Sequence, residues 1–301
     1  MKYTRTTIKA AICGAGLAVA GTVQAEECKN PDVLRFSMIP TEETTQELSL
    51  YEPMVNQIKE VTGKNVEFYL PTSYASVVEA MLGGFVDIGM HGPYSYIIAQ
   101  EKDPSLEVFA TYAKHPGHFQ EEGPGYKAVL VSRSDSGIST IEDLAGTVVG
   151  LTDPASTSGN LLPRVSFTEV IGAQLEDHFS RVVYTGGHDL SAVAVIEGQV
   201  DVAFVATHRL DNVIDRGLAA MEDYNLIWSS PVIPQDPFVV SGKLCDEVVD
   251  RITQAFLTLN ETEAGQEYLR NVNASKFVAM TDADYDIIRA LKAAKDAQKN
   301  Q

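Results

Sequence analysis

Residues Asp153-Pro154-Ala155-Ser156-Thr157-Ser158-Gly159 carry the densest chemistry in the chain. They follow an apolar run, Thr147 to Leu151, and precede a segment expected to be helical. Three consecutive hydroxyls at a helix start, backed by a glycine, suit a tetrahedral oxyanion. The first-turn N–H groups of a helix lack internal partners, and the helix dipole concentrates partial positive charge there. Hydroxyls add donors that rotate to fit, and Gly159 admits a ligand close to the backbone. An ordinary helix cap is the competing reading, because Ser and Thr are favoured there in any helix. A cap needs one hydroxyl, whereas three are surplus.

These residues must be held by an alternation of strand-like and helix-like runs. Strands are expected at 33–38, 65–70, 86–90, 106–112 and 126–132, with helices at 44–61, 74–83 and 94–100. A second cycle follows: strands at 148–151, 181–184 and 200–205, helices at 141–144, 159–171, 190–197 and 208–216, then strands at 226–229 and 238–240. The tail from Cys245 reads as helical, with a fraying end from Lys292. Such alternation predicts an α/β architecture with mostly parallel sheets.

The two cycles echo each other. Gly84-Phe85-Val86-Asp87-Ile88-Gly89 resembles Gly198-Gln199-Val200-Asp201-Val202-Ala203. Tyr74 and His188 each lie 13 residues before their aspartate, and Tyr94 and His208 each lie seven after it. In open α/β sheets ligands sit beyond the carboxyl ends of strands, near helix starts. Four polar aromatic residues at matched positions therefore read as two walls of one cleft.

Charge and export signals narrow the class. Lys2, Arg5 and Lys9 precede an apolar run, Ala10 to Val23, and Val23-Gln24-Ala25 fits a small-x-small cleavage site. The run is short for a membrane span and rich in Ala and Gly rather than Leu. Cys13 follows Ile12, which does not fit a lipoprotein site. Cleavage after Ala25 is expected, giving an exported, soluble chain. It removes three cations and no acid, moving the net charge from −18 to −21. That field argues against nucleic acid and anionic membrane surfaces, so any bound anion is held by local donors. Cys28 and Cys245 remain; a disulfide and two buried thiols are both open readings.

The ensemble of motifs resembles the periplasmic phosphonate- and phosphite-binding proteins of ABC importers, most of all the 2-aminoethylphosphonate-binding type. The resemblance rests on the 153–159 segment, with Pro71 to Tyr74, Gly123-Pro124-Gly125-Tyr126, Gly186-Gly187-His188 and Pro231 to Pro237 in support, and spans nearly all of the chain after residue 25. It implies an α/β, two-lobed, type II Venus-flytrap fold with two crossover strands. The lobes would be 31–128 plus 236–301, and 129–235. It further implies that Tyr74 and Tyr126 contact ligand, that Ser156, Thr157 and Ser158 cradle a phosphonate, that His188 donates to a phosphonate oxygen, and that Asp236 lies at the other end of the pocket. The expected partners are a small phosphonate and an inner-membrane ABC permease, with the protein periplasmic and monomeric, and with no cofactor or metal.

One position departs from the pattern. His208 stands where 2-aminoethylphosphonate-binding members carry a glutamate for the ligand amine. Asp236 could still pair with an ammonium, helped by Asp211 or Tyr94, or accept from a protonated phosphite oxygen. For Asp236 a plain turn role competes, for His188 a helix-capping loop, and for Tyr126 core packing. His91 is equally a cleft residue or a strand-end histidine. Trp228 is read as lobe packing. His115-x-x-His118 is broken by Pro116-Gly117 and reads as a surface loop rather than a metal site. Enzyme signatures such as Gly-x-Ser-x-Gly or His-Glu-x-x-His are absent. A sensor that presents its closed form to a membrane receptor remains the other class.

Overall fold

The computed structural model describes residues 28–40 and 48–298. The export-signal reading at 1–25 and the start of the 44–61 helix lie outside the described residues. Among these, no helix is long and apolar enough to cross a membrane.

Two sheets carry the fold. In the six-stranded sheet β1 (Val33–Met38) lies between β2 (Asn65–Tyr69) and β3 (Ile88–Met90), both parallel to it. β12 (Phe238–Val240) runs antiparallel to β3 and to β4 (Glu107–Lys114), and β13 (Ala274–Ala279) closes the edge on β4. In the five-stranded sheet β9 (Val202–Ala206) pairs parallel with β7 (Val148–Leu151) and antiparallel with β6 (Ala128–Arg133). β8 (Arg181–Tyr184) and β10 (Tyr224–Ser229) are its edges. Between the sheets the chain crosses twice, and the crossings pair as a short antiparallel ribbon of β5 (Gly125–Tyr126) and β11 (Ile233–Pro234). This is a two-lobed α/β fold with two crossovers, as expected.

Local sequence explains the elements. β3 and β9 are buried at every residue, as strands covered on both faces must be. Helix Tyr74–Leu82 starts where Ser73 accepts the N–H of Ser76, and buries Tyr74, Val77, Val78 and Met81 at helical spacing. Helix Glu52–Thr62 has Pro53 in its first turn and ends at Gly63, whose φ of 70° suits a residue without Cβ.

The echoed aspartates do the same job. Asp87 accepts the N–H of Arg35 on β1 at 2.9 Å, and Asp201 accepts the N–H of Val148 on β7 at 2.7 Å. Each aspartate's own N–H returns to the carbonyl of the same residue. Each side chain therefore pins the entry of a central strand to its parallel neighbour.

Aromatic packing fills the first lobe: Phe238 contacts Phe256 and Phe277 with centroids 5.0 and 5.2 Å apart. Trp228 packs edge-on against Phe167 and Phe204 in the second, confirming its packing role. A further cluster draws on both halves, joining Val78, Tyr96 and Tyr285 to Leu161, Val165 and Ala206, so the lobes touch. Cys28 and Cys245 form a disulfide, which resolves the open thiol question. It fastens the segment leading into β1 to the cap of helix Asp246–Leu257.

Three expectations change. The tail is not all helical: Ala274–Ala279 adds to the free edge of β4. The stretch from Lys292 stays helical to Gln298 and is tied down as far as Lys295, because Lys292 pairs with Glu101 (3.1 Å) and Lys295 reaches Tyr94. The expected 159–171 helix opens as π-helical turns, Thr157–Leu161 and Pro163–Phe167, before Thr168–Ile171. The cause is local. The Gly159 carbonyl accepts from the N–H of Thr152 at 3.1 Å, and its α-helical donor would be Pro163, which has no N–H. Leu161 instead donates to the Ser156 carbonyl, five residues back.

Candidate functional site

The hydroxyl triplet is buried between the lobes, and its members divide the work. Asp153 accepts the N–H of Ala155 (2.8 Å), which turns the chain after β7. Ser156 is the helix cap, accepting the N–H of Gly159 at 3.1 Å. Thr157 Oγ1 accepts the N–H of Tyr94 at 2.8 Å, a direct bond from one lobe to the other. Ser158 Oγ lies 3.1 Å and Ser156 Oγ 3.3 Å from Nε2 of His188. A Cβ on Gly159 would fall 2.1 Å from Thr152 Oγ1 and 3.1 Å from His188 Cε1. The glycine is thus required for packing against Thr152 and His188, a different demand from the ligand approach expected of it.

His188 opens helix His188–Ile196 behind Gly187. Its Nδ1 accepts the N–H of Ala206 at 3.2 Å and lies 3.0 Å from Thr152 Oγ1. An N–H donor facing Nδ1 requires a lone pair there, so the ring proton sits on Nε2, toward the serine hydroxyls. Burial pulls the ring's pKa down to about 3, with the neighbouring His208 and Arg209 adding to the effect. His188 is a neutral donor at pH 7, with both ring nitrogens within hydrogen-bond reach of protein partners.

Tyr74 and Tyr126 complete the enclosure. The Tyr74 hydroxyl meets Ser156, and the Tyr126 hydroxyl meets Ser158 and Thr157. Burial raises both phenol pKa values, with Asp236 adding to it, so both stay protonated donors. Tyr126 also stands edge-on to His208, centroids 4.9 Å apart.

The far end centres on Asp236, buried in the second crossover. Its Oδ2 lies 3.5 Å from Arg209 NH2 and 3.8 Å from His208 Nε2. Burial raises its pKa, while Arg209, His188 and Lys114 oppose that rise. The buried Lys114 donates to the Val272 carbonyl at 2.6 Å. His208 is held neutral, its pKa well below the usual value through burial first and then Arg209 and Lys114. Lys114, His208, Arg209, Gln235 and Asp236 line a cavity of about 10 Å³, close to the least that takes one water-sized oxygen. A phosphonate enters this closed conformer only by displacing side chains or parting the lobes.

Two expected residues stand elsewhere. The Tyr94 ring does not line the cleft; its hydroxyl accepts from Lys295 Nζ at 3.0 Å, and only its backbone N–H reaches the cradle. Asp211 does not help Asp236, because its oxygens hold the N–H groups of Phe119 and Gln120. His91 is buried, with Nε2 3.1 Å from Met81 Sδ and its pKa lowered to about 4 by burial. His118 faces Asp215 at 3.8 Å, and no metal-holding group of His, Cys, Asp and Glu occurs among the described residues.

Sequence reasoning missed Thr152, Arg209, Lys114 and Gln235. Arg209 was signalled by adjacency to His208, and Lys114 by a cation ending a mostly apolar strand.

Residues 36–285 match the family described as the periplasmic substrate-binding protein of phosphonate ABC transporters. The phosphate-import protein PhnD of Mycolicibacterium smegmatis is 30% identical over 275 residues, covering 86% of this chain and 84% of that one. The phosphonates-binding periplasmic protein of Escherichia coli is 30% identical over 269 residues, covering 88% and 77%. The crystal structure of a binding-protein component of an ABC phosphonate transporter from Pseudomonas aeruginosa superposes with a TM-score of 0.80 at 28% identity, covering 88% of this chain and 86% of that one.

Proposed function

We propose a ligand and a site for this chain, which belongs to the family of periplasmic substrate-binding proteins of phosphonate ABC transporters. The ligand is a small phosphonate, captured between lobes 31–128 plus 236–301 and 129–235 and handed to an inner-membrane permease. Export would follow cleavage after Ala25, and the protein would act as a monomer without cofactor, nucleic acid or catalysis. Ser156, Thr157, Ser158 and the neutral Nε2–H of His188 take the phosphonate oxygens, and Tyr74 and Tyr126 close over them. The observation that carries this reading is convergence: three hydroxyls, two phenols and an imidazole N–H on one buried surface where the lobes meet. Each hydrogen bond to a charged oxygen contributes about 1.5–3 kcal/mol. A ligand touching both lobes favours closure through its differential affinity for the closed state.

The ligand's other end is read from Asp236. Arg209 already faces that carboxylate at 3.5 Å. A ligand ammonium there would sit near a second cation; at about 5 Å and an effective dielectric near 20 the repulsion is about 3 kcal/mol. This favours phosphonates without an amine. The second reading, 2-aminoethylphosphonate, draws on Asp236 as a buried acid able to accept from an ammonium.

Isothermal calorimetry with methylphosphonate, phosphite and 2-aminoethylphosphonate tests both. Heat of binding is expected, with Ser158→Ala weakening every ligand. No heat with any of them removes the function. If Asp236→Asn weakens 2-aminoethylphosphonate tenfold while sparing methylphosphonate, the amine reading replaces the first.

A further inference from the structure

Two side chains at the far end of the pocket have buried polar atoms without a protein partner: Gln235 Nε2 and His208 Nδ1. Both residues are almost wholly buried, and both line the small cavity beside Asp236 and Arg209. A buried polar atom left unmatched is costly, so a matching group is expected to meet it.

The orientation of each is fixed by its other atom. Gln235 Oε1 accepts the N–H of Asp236 at 3.1 Å. A flipped amide would set NH₂ against that N–H, so Nε2 faces away from it as a donor. For His208, the Asp236 carboxylate faces Nε2 at 3.8 Å. Electrostatics places the ring proton on that side and leaves a lone pair on Nδ1. The unmatched donor of Gln235 and the unmatched acceptor of His208 thus belong to two residues that line one cavity. A hydroxyl is the small neutral group that answers both, accepting with its oxygen and donating with its proton. A methyl satisfies neither, and an ammonium cannot accept from the amide. The cavity's size suits one such oxygen.

We propose that Gln235 and His208 are specificity-determining residues that bind a hydroxyl on the side of the ligand opposite the serine cradle. This rests on the phosphonate reading of the site and deepens it: the ligand is a phosphorus oxyacid whose fourth substituent ends in a hydroxyl. That hydroxyl is either the fourth oxygen of phosphate itself or the alcohol of a short hydroxyalkylphosphonate.

Two matched ligand pairs, each exchanging a hydroxyl for a methyl, test the proposal by calorimetry on the purified protein: phosphate against methylphosphonate, and hydroxymethylphosphonate against ethylphosphonate. In at least one pair the hydroxyl member is expected to bind tenfold tighter or more, because sites built around a substrate hydroxyl reject analogues lacking it. The pair that shows the preference identifies the source of the hydroxyl. Gln235→Leu is expected to erase that preference, because it removes the amide that answers the hydroxyl. Equal binding within both pairs overturns the proposal, as does a preference that survives in folded Gln235→Leu. The wild-type comparison needs no variant, so a misfolding variant leaves that first arm decisive. Binding of all four ligands without preference removes the hydroxyl site alone, whereas binding of none removes the phosphonate reading with it.

Discussion

His188 Nδ1 accepts the amide proton of Ala206 at 3.2 Å, and this bond decides which edge of the ring carries a proton. The N–H edge faces Ser156 and Ser158. The histidine thus faces the two serine hydroxyls as a neutral donor.

Loss of that donor has a defined pH signature. His188→Leu, which has no donor, is expected to weaken methylphosphonate about ten- to hundredfold, as for a charge-assisted hydrogen bond. With the ring's pKa near 3, the wild-type-to-variant ratio stays constant from pH 5 to 8 in calorimetry. A ratio that grows below pH 6.5 contradicts a neutral donor.

Stability falls with acid for the same reason. His91, with a pKa near 4, and His188, near 3, stay neutral in the fold, as does His208. In the unfolded chain all three take protons near pH 6.5, so below that pH the unfolded state binds more protons and is favoured. Each costs up to about 1.4 kcal/mol per pH unit as pH drops from 6.5 toward 4. Urea denaturation at pH 7 and pH 5 is expected to show a lower midpoint at pH 5; equal midpoints reject neutral burial.

Gly159→Ala tests the packing behind the cradle. Its Cβ meets Thr152 at 2.1 Å, and Thr152 in turn supports His188. The variant is expected to lose about 1–3 kcal/mol of stability and to bind phosphonate more weakly. Unchanged denaturation and affinity would show that the turn relaxes freely.

Arg209→Gln removes the cation beside Asp236. The lone buried carboxyl then titrates at a still higher pKa, so the native state holds a proton that the unfolded state releases. The deficit relative to wild type is expected to reach about 3–5 kcal/mol at pH 8 and to shrink at pH 5. An equal deficit at both pH values rejects the Arg209–Asp236 coupling.

Tyr94→Phe separates backbone from side chain. The phenol contacts Lys295, while the amide that reaches Thr157 survives the change. Ligand affinity is expected to stay within about twofold, with stability lower by about 0.5–1.5 kcal/mol for the lost hydrogen bond. A tenfold loss of affinity would return the ring to the cleft.

Much of this was legible in the chain. The echo around Asp87 and Asp201 located equivalent strands because a short aspartate next to a buried strand has one compact role, pinning a neighbouring backbone. The hydroxyl triplet was legible because no single cap uses three such residues. At Tyr94 the same register gave the right helix start and the wrong destination for the ring, since Lys295 is drawn in from the far end of the chain. Arg209 and Lys114 escaped for a similar reason: their partners, Asp236 and the Val272 carbonyl, are set by packing rather than by local pattern. β13 escaped because its pairing edge on β4 exists only once the lobe is assembled. The π-helical turns followed from Pro163 and the Gly159 carbonyl together, and neither alone announces them.

Helix Asp286–Gln298 reaches Glu101 and Tyr94 on one side and packs against the turns at Thr157–Leu161 and Pro163–Phe167 on the other. Hinge motion must therefore peel this helix from one half. Its contacts with the Thr157–Leu161 and Pro163–Phe167 turns would be the ones to part, while the Lys292 and Lys295 bonds keep the helix seated on its own half, so an opened form would carry the clasp away intact.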